Sequence, residues 1–350
     1  MRLHINSHMP FLSEIPDIKF KKPMAAMVIG NSMLSAVPGV SAAGANPKAT
    51  LMTPNLDAKL ILNGPDKNTN IPKSPRGCAT PATITRAMFE LCEIEPVIVN
   101  AGLVNQPDFP CMDVYGKPGG DPRDGDAVED PEELYKRGVT IGRQWSRYSD
   151  LLILGESVPG GTTTALCILR ALGYDAGVSS SFIKNPTGLK AEICNKTIER
   201  IKRDGITDPF DIIRYAGDPM MPVVAGITKG YKGHVVLSGG TQMLSVCALI
   251  KAIGDEIPPF VTTEYVRADK SASIEKSAAE VGATGWYVDP DFGNIGIASL
   301  ARYTDGEVKE GAVLGGSLWL AVMSGFTKEE IFKKIREYMD VFGCKTDKTD

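Results

Sequence analysis

The chain has 350 residues, 43% of them apolar and 23% charged, with a formal net charge of -4. Those values fit a globular protein with a substantial core and exclude a disordered, fibrous or low-complexity chain. They give no global basic field for nucleic acid, and no run of about 18 uninterrupted apolar residues indicates a membrane span.

At the N-terminus His4 and His8 form an HxxxH pair, which a ragged terminus makes a poor metal site. Residues 19–45 imitate a secretory signal. Asn31, Ser32 and Pro38 break that apolar run and a long polar segment precedes it, so a cytoplasmic protein is expected. Seven cysteines at 78, 92, 111, 167, 194, 247 and 344 form no CxxC pair, and an odd, scattered set reads as reduced thiols.

Short apolar runs at 26–29, 60–62, 97–99, 151–154, 235–237, 260–263 and 286–288 predict buried strands. Helix starts are expected where Thr80, Asp130, Asp208 and Asp218 each precede a proline, and helix ends at Gly138, Gly173, Gly217, Gly254 and Gly282. Residues 100–130 are dense in Gly, Pro and Asp and predict a long loop, in which Asp121, Asp124 and Asp126 lack the ligand spacing of a calcium loop and serve turns instead. The alternation predicts an α/β fold, a mainly parallel sheet with helices on both faces, Rossmann-like and doubly wound. Residues 24–325 are expected to form a nucleotide-binding catalytic domain. Residues 1–23 and 326–350 are expected to form a small helical subdomain, its last helix opening on a capping box from Thr327 to Glu330.

Three glycine pairs stand in one predicted setting, between an apolar run and a helix: Gly160-Gly161-Thr162, Gly239-Gly240-Thr241 and Gly315-Gly316-Ser317. Such bends leave the first helical amides free to meet an anion at the carboxyl ends of parallel strands. A glycine pair after a strand also serves plain helix-to-strand packing. The first bend, Gly155 to Thr162, has the spacing of a phosphate loop with Gly161 where the lysine belongs and a carboxylate, Glu156, inside it. A triphosphate fits that poorly. A monophosphate held by backbone amides alone, with Glu156 near a sugar hydroxyl or a ring nitrogen, fits better. No GxGxxG follows a predicted strand, which argues against a dinucleotide enzyme.

At these residues the chain resembles the nicotinate-nucleotide:dimethylbenzimidazole phosphoribosyltransferase family, which makes the lower-ligand nucleotide of cobalamin, and most of all its archaeal and cyanobacterial branch. The family motif GEMGIGNTT lies on GESVPGGTT, matching Gly155, Glu156, Gly160, Thr162 and Thr163 and departing at Val158 and Gly161. Its VLVDGF lies on residues 235–240, with Ser238 for the aspartate, and its LGEGTG lies on Leu314, Gly315, Gly316 and Ser317, without the glutamate regarded as the family's base. The resemblance extends from about Met24 to Gly325.

What the resemblance implies is transfer of the ribose 5-phosphate of nicotinate mononucleotide to an aromatic nitrogen base by a cytoplasmic homodimer, with small-molecule substrates and no metal or organic cofactor. Glu156 is then the catalytic candidate. Gly155, Gly160, Gly161, Thr162, Thr163, Ser238, Gly239, Gly240, Thr241, Gly315, Gly316 and Ser317 are the substrate-binding candidates, and residues 31–47 lie near the base pocket or pack the core. Glu264, Asp289, Asp291 and Glu310 are open candidates for the missing base. Glu156 has a plainer reading as a carboxylate stabilising a helix N-terminus, worth about 0.3–1 kcal/mol. The rival functions are a mononucleotide-binding protein of the same fold with altered catalysis, and another α/β enzyme of phosphorylated metabolites.

Overall fold

Along residues 151–154 successive side chains serve two different cores: Leu152 and Leu154 face one, Leu151 and Ile153 the other. A strand apolar on both faces must be covered on both faces, and the whole sheet is built this way. The computed structural model describes residues 11–64, 73, 74 and 76–342. Its strands are β1 Pro23–Gly30, β2 Val97–Gly102, β3 Met112–Asp113, β4 Leu151–Ser157, β5 His234–Ser238, β6 Phe260–Thr263 and β7 Gly285–Val288. They form one sheet in the order β3-β2-β1-β4-β5-β6-β7, and every pairing is parallel.

The helices are α1 Pro47–Asn63, α2 Pro81–Leu91, α3 Pro131–Trp145, α4 Gly161–Ala171, α5 Thr187–Arg203, α6 Pro209–Ala216, α7 Met220–Gly230, α8 Thr241–Ile253, α9 Glu264–Arg267, α10 Ile274–Val281, α11 Ala298–Ala301, α12 Leu314–Met323 and α13 Lys328–Val341. Buried residues of α3 to α8 and α10 share one core with Val28, Leu154 and Leu237. Those of α1, α2, α12 and α13 share the other with Met27, Ile153 and Val236. The doubly wound architecture expected from the alternation is therefore present. Strand order reverses between β1 and β4, where Val28 pairs with Glu156 and Ile29 with Ser157. Ligands of such sheets collect just beyond the carboxyl ends of the strands at that reversal.

Several helix boundaries follow the expected chemistry. The Thr80 and Asp208 side chains accept from first-turn amides, Gly254 and Gly282 close α8 and α10 in left-handed geometry, and Thr327 and Glu330 form the reciprocal capping box of α13. Helix α13 lies on α2, with Ile331, Ile335 and Met339 in the same core as β1. In the N-terminal arm Leu12 forms an antiparallel bridge with Val288.

Four local expectations are corrected. Residues 60–62 are the last turn of α1, not a strand, because a short apolar run has the same composition in a buried helix. Gly138 lies inside α3, where an added Cβ would stand 2.5 Å from the Val223 carbonyl oxygen; it lets α3 and α7 approach backbone to backbone instead of ending a helix. Gly217 does cap α6, but in extended rather than left-handed geometry. Gly315 and Gly316 do not follow a strand; they lie in the first turn of α12.

Candidate functional site

The bend after β4 is made by residue types that leave little choice of conformation. Gly160 has φ 77°, a left-handed value open to glycine, and a Cβ there would lie 3.2 Å from the Ser35 backbone. The bend opens α4 at Gly161 and brings Thr162 into its first turn. One strand over, Gly240 precedes α8 and Thr241 begins it. Glu156, Gly160, Thr162, Gly240 and Thr241 all line one cavity of about 350 Å³, within the size range of small-molecule sites. Residues 40–45 of the small-residue segment line it as well.

Glu156 is 5% exposed, and its Oε2 accepts from the Val158 amide at 2.8 Å. Burial pushes its carboxyl up to about 8, against the Val158 amide and the Gln242 side chain, while Asp218 and Glu310 push the same way as burial. A carboxyl so held is poised to change protonation near neutrality. The accepted bond from Val158 runs along the bend itself, so Glu156 also serves the turn.

Two more acids reach the cavity. Asp57 of α1 accepts from Thr80 Oγ1 at 2.7 Å and Ser157 Oγ at 2.9 Å, and burial raises it to about 6. Glu310, partly exposed to the cavity, accepts from the Thr263 and Gly315 amides at 2.9 Å and from Thr262 Oγ1 at 3.0 Å. Burial raises it to about 7 despite those donors. Of the other base candidates, Glu264 and Asp289 border a separate depression, with Glu264 paired to Arg267, and Asp291 pairs with Lys328 at 2.6 Å.

Behind the cavity wall stand two buried lysines, which the expected seat of backbone amides did not include. Lys190 of α5 is 1% exposed; its Nζ donates to Thr162 Oγ1 at 2.8 Å and to the Ser179 carbonyl at 2.6 Å. Lys309 donates to the carbonyls of Ser180 at 2.6 Å and Phe182 at 2.9 Å and lies 3.6 Å from Asp269. Together they pin the loop of Ser179, Ser180 and Ser181, which forms a wall of the cavity. Burial and the neighbouring Lys309 bring Lys190 down to about 7, and burial lowers Lys309 too. Lys190 thus brings an ammonium group from another helix to within one hydroxyl of the cavity surface. Lys190 carries no sequence signal, since α5 is rich in exposed lysine and arginine.

The remaining candidates divide. Gly161 lies beside Gln242, whose Oε1 would stand 2.3 Å from an added Cβ. The side chains of Thr163 and Ser238 are buried, and Ser238 Oγ accepts from the Gly316 amide at 2.8 Å. Gly155 packs against Val313 and the Ser238 carbonyl, and Gly239 donates to the Val261 carbonyl at 3.0 Å. Gly315 gives its amide to Glu310, and a Cβ on Gly316 would come within 2.5 Å of Ser238 and 2.6 Å of Ile153. Gly315, Gly316 and the buried Ser317 are therefore where α12 presses onto the sheet, not an outward-facing bend. Among the described residues no group of three or more His, Cys, Asp and Glu is placed to hold a metal, and no helix is long and apolar enough to cross a membrane. His4 and His8 lie outside the described residues.

This arrangement can be set beside known proteins. A protein of Thermococcus onnurineus is 40% identical over 323 residues, covering 90% of this chain and 96% of its own, and one of Methanothermobacter thermautotrophicus is 40% identical over 327 residues, covering 88% and 90%. Both are named UPF0284 proteins. The chain belongs to the UPF0284 family. A third member, from Methanosarcina mazei, is 39% identical over 328 residues, covering 89% of this chain and 93% of its own. No protein-family model matches. Among solved structures, a nicotinate-nucleotide-dimethylbenzimidazole phosphoribosyltransferase from Thermus thermophilus superposes with a TM-score of 0.56 over 93% of this chain and 84% of its own, at 15% identity. A structure described as CobT from the same organism gives 0.57 over 94% and 85%, at 14% identity. The family member described here has the fold of those enzymes.

Proposed function

We propose that the protein is a phosphoribosyltransferase that moves the ribose 5-phosphate of nicotinate mononucleotide to an aromatic nitrogen base such as dimethylbenzimidazole. The observation that carries this reading is the meeting, in one cavity at the strand-order reversal, of the first turns of α4 and α8, with Lys190 behind Thr162, and the buried carboxyl of Glu156. The two first turns are read as the anion seat. Likeness of fold to the Thermus enzymes supports it.

In this reading the 5-phosphate sits over Thr162 and Thr241, where two helix N-termini and the charge of Lys190 oppose it. A nitrogen lone pair of the incoming base attacks the anomeric carbon. The bond to nicotinate breaks, its electron pair returning to the pyridine nitrogen, and an α-riboside 5-phosphate forms. Positive charge builds on the sugar as this happens, and an ionised Glu156 in a water-poor cavity stabilises it without having to reorganise. The N–H proton of the acceptor ring then passes to the Glu156 carboxylate. The flat acceptor fills the slot between residues 40–45 and Asp57.

Incubation with nicotinate mononucleotide and dimethylbenzimidazole, with chromatography of released nicotinate, tests the reading; release that disappears in Glu156→Gln is expected. A second reading, a mononucleotide-binding protein of the same fold with altered catalysis, is favoured by one observation. By the sequence resemblance alone Gly315 and Gly316 lie in the family's LGEGTG motif without its glutamate, and their amides donate to Glu310 and Ser238. Tight nucleotide binding without nicotinate release would select it.

A further inference from the structure

Three carboxyls line the cavity, those of Asp57, Glu156 and Glu310, and among the described residues of its wall a single basic side chain stands against them, that of Lys73. Lys73 is exposed and so sits at the cavity rim. Its backbone is nonetheless fixed. Lys73 forms an antiparallel bridge with Ala79, the Ser74 amide donates to the Cys78 carbonyl at 2.8 Å, and Ser74 Oγ accepts from the Cys78 amide at 3.0 Å. The same hydroxyl donates to Glu307, which Arg302 holds at 3.0 Å. A flexible stem on an anchored turn lets a compact charge with three donors find an anion in the cavity.

The position of Lys73 indicates which anion. Buried residues of α4 and α8 belong to one core, whereas Cys78 and Ala79, beside Lys73, belong to the other with α1 and α2. Glu156 and Ser157, the last residues of β4, lie between those two layers. A nucleotide with its phosphate over Thr162 and Thr241 and its anomeric carbon beside Glu156 therefore carries its ring toward the layer of Lys73. A carboxylate on that ring enters among three carboxyls, each of which repels it when ionised, and at the rim Lys73 supplies the compensating charge. A carboxamide on the same ring needs no such charge. We propose that Lys73 is a specificity-determining residue whose ammonium receives the ring carboxylate of an N-ribosyl pyridine 5-phosphate, so that the site favours the pyridine carboxylate nucleotide over its carboxamide. The proposal rests on the placement of phosphate and sugar given under the proposed function, but not on turnover.

The test is calorimetric titration of the full chain with nicotinate mononucleotide, nicotinamide mononucleotide and ribose 5-phosphate. It is repeated with Lys73→Met, which keeps the stem and removes the charge, and with Lys73→Arg, which keeps the charge; thermal melts confirm that each variant is folded. A hydrogen bond between charged groups is strong enough to shift affinity about tenfold, so the wild type is expected to bind the carboxylate nucleotide about tenfold more tightly than the carboxamide. Lys73→Met should bind the two nucleotides alike and ribose 5-phosphate as the wild type does, and Lys73→Arg should restore the preference. Equal affinities in the wild type, no binding of nicotinate mononucleotide, or a preference that survives in Lys73→Met would overturn the assignment. An equal loss of ribose 5-phosphate affinity in Lys73→Met would overturn it too, by giving the lysine to the phosphate. Nicotinate release is measured separately. A preference that depends on Lys73 without release keeps the assignment and removes phosphoribosyl transfer, whereas release with a preference indifferent to Lys73 does the opposite.

Discussion

Lys190 Nζ lies 2.8 Å from Thr162 Oγ1, so a cation carried by α5 backs the first turn of α4 from inside the protein. A surface lysine would meet an anion directly and share it with water. This one acts through a hydroxyl and through its field in a poorly screened interior.

Removing that charge should weaken anion binding, and it also frees the Ser179 carbonyl that Lys190 holds at the cavity wall. Charge-assisted hydrogen bonds contribute roughly 1.5–3 kcal/mol, so Lys190→Met is expected to lower affinity for ribose 5-phosphate about 10- to 100-fold. Because burial holds Lys190 at about 7, the wild type should bind the anion more tightly at pH 6 than at pH 8, with proton uptake on binding. Calorimetry in two buffers of different ionisation enthalpy reads both; a pH-independent affinity would count against the role of Lys190.

Glu156→Gln keeps the shape of the bend and removes the charge. Nicotinate release should fall below detection, with the circular dichroism spectrum unchanged. In the wild type, turnover should rise as pH climbs toward the raised value of about 8, since the ionised form does the work. Near-normal turnover in the variant would remove Glu156 from the mechanism.

The buried acids also set the stability profile. Asp57 and Asp218 are raised to about 6, Glu310 to about 7 and Glu156 to about 8, all by burial. Each native carboxyl holds its proton at a pH where the unfolded chain has released it. Its stabilising share is therefore full below the unfolded value and is lost as pH rises through the folded one, at about 1.4 kcal/mol per unit of displacement. Tm is expected to fall between pH 5 and 7, and Glu156→Gln should flatten that fall and its continuation to pH 8. Lys190 works in the opposite sense above about 7, because it stays neutral in the native state while the unfolded chain is protonated. A Tm that rises from pH 5 to 7 would contradict the assignment of these acids as buried and protonated.

Gly316→Ala distinguishes packing from binding at α12. The added methyl would meet Ser238 and Ile153, and overpacking of this kind costs about 1–3 kcal/mol. A lower denaturation midpoint with unchanged affinity for ribose 5-phosphate is expected; a specific loss of affinity at full stability would restore Gly316 to the ligand.

The sheet was legible because its strands are short apolar runs with punctuated ends, and six of the seven expected runs are strands. The two-residue β3 was not, since Met112 and Asp113 have no periodicity to read. Within the candidate site, Glu156, Gly160, Thr162, Gly240 and Thr241 were legible because their bends are local features of the chain. Asp57, Lys190 and Gln242 were not, because what singles them out is burial against segments remote in sequence. The third glycine pair misled for a related reason: close approach of two backbones and close approach of a backbone to a ligand demand the same residue.

The cavity walls come from segments scattered along nearly the whole chain, from residue 40 to residue 312. No partly folded form therefore contains a complete binding surface, and a ligand has nothing to hold until both helical layers have closed on the sheet. Saturating ligand should then act as a clasp, adding RT ln(1 + [L]/Kd) to the free energy of unfolding and drawing late folding events toward the native state.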